Sequence, residues 1–228
     1  MNSNEINDIP SGKKVIKPWG FEYKIYSNDV SSTKLLNIRS GKKTSMHCHP
    51  IKKTGYIVLS GSVDVDLGFY ETRKLNSISK LMIRPGLFHC TRNNSNDDSI
   101  ILEIETPIDK DDLVRFQDEY GRENKPYEGT TEMEDLTKED IVFHDPNLDT
   151  YKKYSLYKKE IQIEKVSKIK NIKFQNEREI FAVLGGGLCD KKKKFVLSPG
   201  DIVRTDTLKK LSVNFNTANF ITIMRLTY

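Results

Sequence analysis

Residues 41–61 read Gly41-Lys42-Lys43-Thr44-Ser45-Met46-His47-Cys48-His49-Pro50-Ile51-Lys52-Lys53-Thr54-Gly55-Tyr56-Ile57-Val58-Leu59-Ser60-Gly61. Between the two end glycines lie two short runs of strand character, Lys43–His49 and Gly55–Ser60, interrupted at Pro50. Successive strand side chains point to opposite faces, so His47 and His49 share one face while Met46 and Cys48 share the other. Similar runs lie outward on both sides: Thr33–Ile38, Ser62–Leu67, Lys80–Arg84 and Ser99–Thr106, each bounded by Gly, Pro, Asn or Ser. Val63-Asp64-Val65-Asp66-Leu67 alternates strictly, as a half-buried strand does. Many short strands at close spacing predict an all-β antiparallel sandwich or barrel. Helix signals are few; the acidic start of Asp111–Tyr120 predicts one or two helical turns there.

Three of the four histidines fall into one pattern. His89 follows the Pro85-Gly86 turn by three residues and is expected to enter from a strand neighbouring His47 and His49. Three imidazoles converging inside a barrel form a site for a divalent metal such as Zn, Ni, Co, Mn or Fe. The plainer alternative is an exposed pair of strand histidines and an unrelated third. Carboxylates are within reach as well. Glu103 and Glu105 share one face of a strand whose other face carries Ile100, Leu102 and Ile104. If that face looks inward, the two acids are candidate catalytic residues or ligands; if outward, they are solvent-facing.

The chain has 228 residues, enough for one large domain or two small ones. No apolar stretch approaches the roughly 18 residues that span a bilayer. The opening Met1–Lys14 has no apolar core of a signal peptide. Three cysteines, Cys48, Cys90 and Cys189, fit a reducing compartment better than a disulfide framework, so a cytoplasmic protein is expected, without membrane association. Charge is uneven. Residues 1–150 hold 20 basic and 25 acidic residues, a balance of −5, whereas residues 151–228 hold 17 and 7, a balance of +10. Aromatic residues are not interleaved with the basic ones, which argues against nucleic acid as the partner.

An internal echo divides the chain. Tyr56-Ile57-Val58-Leu59-Ser60-Gly61 is answered by Phe181-Ala182-Val183-Leu184-Gly185-Gly186, and Met82-Ile83-Arg84-Pro85-Gly86 by Val196-Leu197-Ser198-Pro199-Gly200. The division expected is a metal-binding barrel at 1–127, an acidic linker at 128–158 and a degenerate second copy at 159–228. That copy has no histidine, and its expected roles are packing, dimerisation or ligand shielding.

The histidine pattern resembles the cupins. Gly41, His47-Cys48-His49 and Gly61 resemble the first cupin motif; Pro85-Gly86, His89 and Asn93 resemble the second. Three more segments resemble the isomerase domain of type II phosphomannose isomerases: Lys17-Pro18-Trp19-Gly20, the whole of 41–61, and Asp111-Asp112-Leu113-Val114-Arg115-Phe116-Gln117-Asp118-Glu119-Tyr120-Gly121-Arg122. The likeness covers about residues 14–125. It implies a cupin barrel with His47, His49 and His89 as metal ligands and interconversion of phosphorylated sugars, with a sugar phosphate as small-molecule partner and a homodimer as assembly. Lys52, Lys53, Arg115 and Arg122 are the candidate phosphate- or substrate-binding cations, although ordinary loop roles are the simpler reading of the two lysines. Tyr56 is a candidate pocket wall. The chain departs from the family where the metal-binding glutamine and glutamate correspond to His47 and Thr54. The missing carboxylate leaves two other readings open: a three-histidine iron dioxygenase of the cupin class, and a sugar-phosphate binder without catalysis.

Overall fold

Isoleucine, valine and aromatic residues favour pleated, half-buried backbone, and they recur in strands such as Gly20–Ser27, Ser99–Thr106 and Lys159–Val166. The computed structural model describes residues 10–109, 111–122 and 130–228. Among the described residues, eighteen strands run in order: β1 Lys13–Lys17, β2 Gly20–Ser27, β3 Ser32–Ile38, β4 Met46–Cys48, β5 Lys53–Ser60, β6 Ser62–Leu67, β7 Glu71–Asn76, β8 Lys80–Ile83, β9 His89–Arg92 and β10 Ser99–Thr106. They continue as β11 Val114–Gln117, β12 Met133–Asp135, β13 Thr150–Leu156, β14 Lys159–Val166, β15 Ile180–Cys189, β16 Phe195–Leu197, β17 Ile202–Arg204 and β18 Asn216–Thr227. One α-helix, α1 Thr205–Asn214, precedes β18. No described helix is long and apolar enough to cross a membrane.

The all-β expectation holds: the strands form three antiparallel sheets. The first has the order β12-β1-β2-β3-β10-β5-β8, the second β11-β4-β9-β6-β7, and the third β13-β14-β18-β15-β16 with β17 also on β15. Strand alternation decides what each face does. On β10, Ile101 packs with Val58, Val63 and Val65 between the first and second sheets, while Ile100, Leu102 and Ile104 pack with Ile163, Ala182 and Leu226 between the first and third. The first sheet is therefore the middle layer. The far face of the third sheet is covered in part by α1, through Leu208 and Leu211 against Phe181 and Ile223.

The first and third sheets share an order of strands, and the first echoed segment falls on matching strands, β5 and β15; the second does not, because Met82–Gly86 runs out of β8 whereas Val196–Gly200 runs out of β16 and ahead of β17. The first sheet contains β2-β3-β10-β5-β8 and the third contains β13-β14-β18-β15-β17, the same order of sequential and crossover strands. The echoed glycines, Gly61 and Gly186, and Gly86 and Gly200, all have positive φ, which glycine adopts without the Cβ penalty; Gly186 lies within β15, not at a turn. An equivalent of the second sheet does not follow; α1 lies there instead.

Two local expectations are corrected. Residues 111–120 form no helical turn: Val114–Gln117 is strand β11, paired with β4, with Arg115 opposite His47. The Asp112 carboxylate, instead of starting a helix, accepts backbone N–H groups of another segment, Ile51 at 2.9 Å and Lys52 at 2.7 Å. The stretch read as a linker also carries structure, since β12 pairs with β1 and β13 with β14.

Candidate metal centre

His47 lies on β4 and His89 on β9, and the two are direct cross-strand neighbours. His49 follows β4 immediately, on the same side as His47. Ring centroids are 4.4 Å apart for His47 and His89, 5.3 Å for His47 and His49, and 5.8 Å for His49 and His89. One nitrogen from each ring lies within 4.8 Å of the others, a spacing that can hold a metal ion. Each Nδ1 faces a backbone carbonyl: His47 that of Ser45 at 2.9 Å, His89 that of Leu87 at 3.0 Å, and His49 that of Asp112. A carbonyl only accepts, so each Nδ1 carries the proton and each Nε2 keeps its lone pair. Such outer hydrogen bonds fix ring orientation in metal-binding histidines.

The electrostatics agree with ligand chemistry. Burial, then the neighbouring imidazoles His89 and His49, holds His47 well below the usual histidine range. Burial lowers His89 to about 4. Neutral imidazole is the form that binds metal. Nε2 of His89 and Oε1 of Glu105 are buried with no hydrogen-bond partner among the described residues. Buried polar atoms are normally satisfied, and a cation held by the three imidazoles would satisfy His89 Nε2. The donor set therefore fits a divalent metal.

Glu103 and Glu105 face inward, because they share the side of β10 that carries Ile101. Glu105 lies opposite Thr54 in the β5–β10 ladder. Its Oε1 stands 3.5 Å from His49 Nε2. Burial would raise the Glu105 pKa, but Lys34, Lys52 and His49 outweigh it and hold the group ionised. Lys34 Nζ is 2.8 Å from Glu105 and 3.8 Å from Glu103, and Lys52 Nζ is 3.6 Å from Glu105. Burial and the charge of Glu105 push Glu103 up to about 7, close to neutral pH. Tyr56 is buried, with its ring 6.2 Å from His89.

A cavity opens beside the histidines, and its walls include Lys17, Trp19, Lys34, Tyr56, Glu103, Arg115 and Arg122. Arg122 is clamped by Asp118, which takes its Nε at 2.8 Å and its Nη2 at 2.7 Å. Lys53 is the correction among the candidates. It sits on the opposite face of β5, 2.7 Å from Asp201 of the third sheet, because alternation turns Lys53, Gly55 and Ile57 away from Thr54 and Tyr56. It joins layers and does not reach the cavity.

Sequence reasoning missed Lys34 and Asp112. Lys34 looked like one lysine among many. Asp112 sits inside the closing motif that was singled out, and it locks the metal loop twice, through its carboxylate and through the carbonyl that holds His49. Asn93 was marked by its position in the second motif. Its amide bonds the carbonyls of Ile38 and Asp97, and its backbone closes on Gly41 and Lys42. Gly86 N–H likewise donates to the His49 carbonyl at 2.8 Å.

The sequence is similar to known proteins over its first half. The family described as "Mannose-6-phosphate isomerase C-terminal" matches residues 4–118. The mannose-1-phosphate guanylyltransferase ManC of Salmonella typhimurium is 26% identical over 112 residues, 48% of this chain and 23% of that protein. The xanthan biosynthesis protein XanB of Xanthomonas campestris pv. campestris is 29% identical over 112 residues, 48% of this chain and 24% of that one. The chain thus spans about a quarter of the length of these curated relatives. Among solved structures, a Klebsiella pneumoniae protein with a double-stranded β-helix domain covers 52% of this chain and 96% of its own, at TM-score 0.40 and 15% identity. The capsular polysaccharide assembling protein CapF of Staphylococcus aureus covers 46% of this chain and 34% of its own, at TM-score 0.42 and 16% identity. Likenesses of that size carry no argument about chemistry. With its residues matched over half its length, the chain belongs to the mannose-6-phosphate isomerase C-terminal family.

Proposed function

We propose that this chain is a metal-dependent isomerase or epimerase acting on a phosphorylated or nucleotide-linked sugar. The observation that carries the reading is the cluster of three Nε2-free imidazoles near the buried carboxylates Glu103 and Glu105, beside a cavity lined by His47, His49 and Glu103. His47, His49 and His89 would hold a divalent metal, which would supply a Lewis acid toward a sugar carbonyl or hydroxyl. Glu105 stays ionised beside it under Lys34 and Lys52. Glu103 lines the cavity and acts as the base: it takes the proton from the carbon next to the carbonyl and returns it to the former carbonyl carbon, while the hydroxyl proton of the first carbon passes to the carbonyl oxygen through the enediol. Lys34 and Arg115 supply cations on the cavity wall for an anionic substrate group.

The carboxylate at Glu105 favours this reading over a dioxygenase with histidines alone. The test is a coupled assay with a panel of hexose and heptose phosphates on wild type and Glu103→Gln, alongside a binding measurement. Wild type is expected to turn over at least one sugar, and Glu103→Gln to bind it while reacting at least ~100-fold more slowly, the low end of a general base's contribution. Undiminished turnover in the variant removes Glu103 from the mechanism. Binding without turnover across the whole panel rejects the isomerase in favour of a binding protein.

A further inference from the structure

Strands of the third sheet alternate in direction, so the start of β13, the end of β14, the start of β18, the end of β15 and the start of β16 all lie at one end. Four strand spacings of about 4.8 Å make that rim roughly 19 Å across. The short helical turn Ile169–Asn171 belongs to it, because Ile169 N–H donates to the Thr217 hydroxyl at 2.7 Å and Thr217 stands opposite Leu188. The C-terminus of α1 is there too, since Phe215 leads directly into β18 at Asn216.

Six lysines gather on this rim, all exposed: Lys191–Lys194 between β15 and β16, and Lys168 and Lys170 on either side of Ile169. Other lysines of the same region are paired, Lys153 with Glu160, Lys165 with Asp145 and Lys209 with Glu177. The six have no carboxylate partner among the described residues. The two acids beside them are engaged by other groups. Asp190 Oδ1 accepts the N–H groups of Lys192 at 2.8 Å and Lys194 at 2.9 Å, which closes the turn and leaves its lysine side chains to solvent. Asp149 Oδ1 accepts the N–H and hydroxyl of Ser167. Six cations therefore stand against two carboxylates. Among them lie large apolar side chains that water covers poorly: Phe195, 51% exposed, Leu148, 52%, and Val213, 77%.

We infer that this end of the third sheet docks on an anionic lipid bilayer, with Lys168, Lys170 and Lys191–Lys194 over the headgroups and Phe195 and Val213 at the acyl boundary. A bilayer of that kind supplies both halves of the match: negative headgroups for the ammonium groups and a hydrocarbon boundary for the apolar side chains. A nucleic acid matches only the first half. It is held by bases stacked on rings set among the cations, whereas Val213 and Leu148 are aliphatic and have no base to stack on. A peripheral contact of this kind needs no spanning segment. It is independent of the metal site and of the chemistry proposed there.

The experiment is flotation of the full chain with vesicles of phosphatidylcholine alone or with about one-third phosphatidylserine, beside a titration with single-stranded poly(dT). Binding is expected to the phosphatidylserine vesicles and not to phosphatidylcholine alone, and it should fall as salt rises from about 0.1 to about 0.5 M and screening shortens. Lys191→Gln with Lys192→Gln should weaken it about 25-fold, at about fivefold per lysine. Arg178→Gln with Lys158→Gln makes the same charge change at the opposite end of the sheet and should leave binding within about twofold of wild type. All four side chains are exposed, and circular dichroism checks that both variants keep the fold. Phe195→Trp should shift its emission to the blue on the phosphatidylserine vesicles, which attraction between charges alone does not produce. Absence of vesicle binding, with or without binding to poly(dT), overturns the inference. So does an equal loss in the two double variants, or an unshifted emission from vesicle-bound Phe195→Trp.

Discussion

Replacing Asp112 with Asn tests how the family's closing segment serves the metal site. The carboxylate accepts the Ile51 and Lys52 N–H groups at 2.9 and 2.7 Å, one on each oxygen. Asparagine keeps one oxygen and presents an NH2 group to the second N–H, so one charge-assisted bond becomes two donors in contact. A hydrogen bond to a charged group contributes about 1.5–3 kcal/mol. For a chain of this size each kcal/mol moves Tm by about 2–4 °C, giving an expected loss of about 3–12 °C. The Asp112 main-chain carbonyl, which the substitution leaves in place, also accepts from His49 Nδ1; as the weakened carboxylate lets this segment shift, that outer contact is strained, and losing such a contact lowers metal affinity by up to about 10–100-fold. Thermal melts by circular dichroism and zinc titration against a chelator read the two effects. An unchanged Tm together with unchanged zinc affinity refutes the role given to Asp112.

Lys34→Met removes the cation 2.8 Å from Glu105 and leaves two buried acids poorly compensated; it should cost about 3–5 kcal/mol in urea unfolding. Lys53→Ala breaks a pair whose side chains are 26% and 30% exposed, so it should cost about 0–1 kcal/mol and leave turnover unaffected, because Lys53 faces away from the cavity. Gly20→Ala should destabilise the chain by on the order of 3 kcal/mol or more. Its Cβ would lie 1.9 Å from the Asn37 carbonyl oxygen at φ +149°, and an unfolding midpoint close to wild type would contradict that packing.

The sequence was most legible where period-two alternation was clean. Ser62–Leu67 and Ser99–Thr106 are strands with the bounds read from the residues alone, and the His47/His49 pair with His89 followed from alternation and turn spacing. Whether Glu103 and Glu105 look in or out was not legible, because both faces of β10 are buried and only the third sheet, remote in sequence, explains the apolar one. Residues 111–120 misled because an acidic pair ahead of an apolar run reads as a helix start, whereas Asp112 spends its carboxylate on the loop after His49. Lys53 misled for a related reason: adjacency to Lys52 says nothing about which side of β5 it takes.

The central claim is that His47, His49 and His89 hold a divalent metal. The direct measurement is metal content by mass spectrometry after stripping with chelator and dialysis against Zn, Ni, Co and Mn in turn, on wild type and His89→Ala. The account predicts close to one equivalent of at least one of these metals in the wild type and a loss of most of it in His89→Ala. Wild-type content no higher than that of the variant for every metal would contradict it.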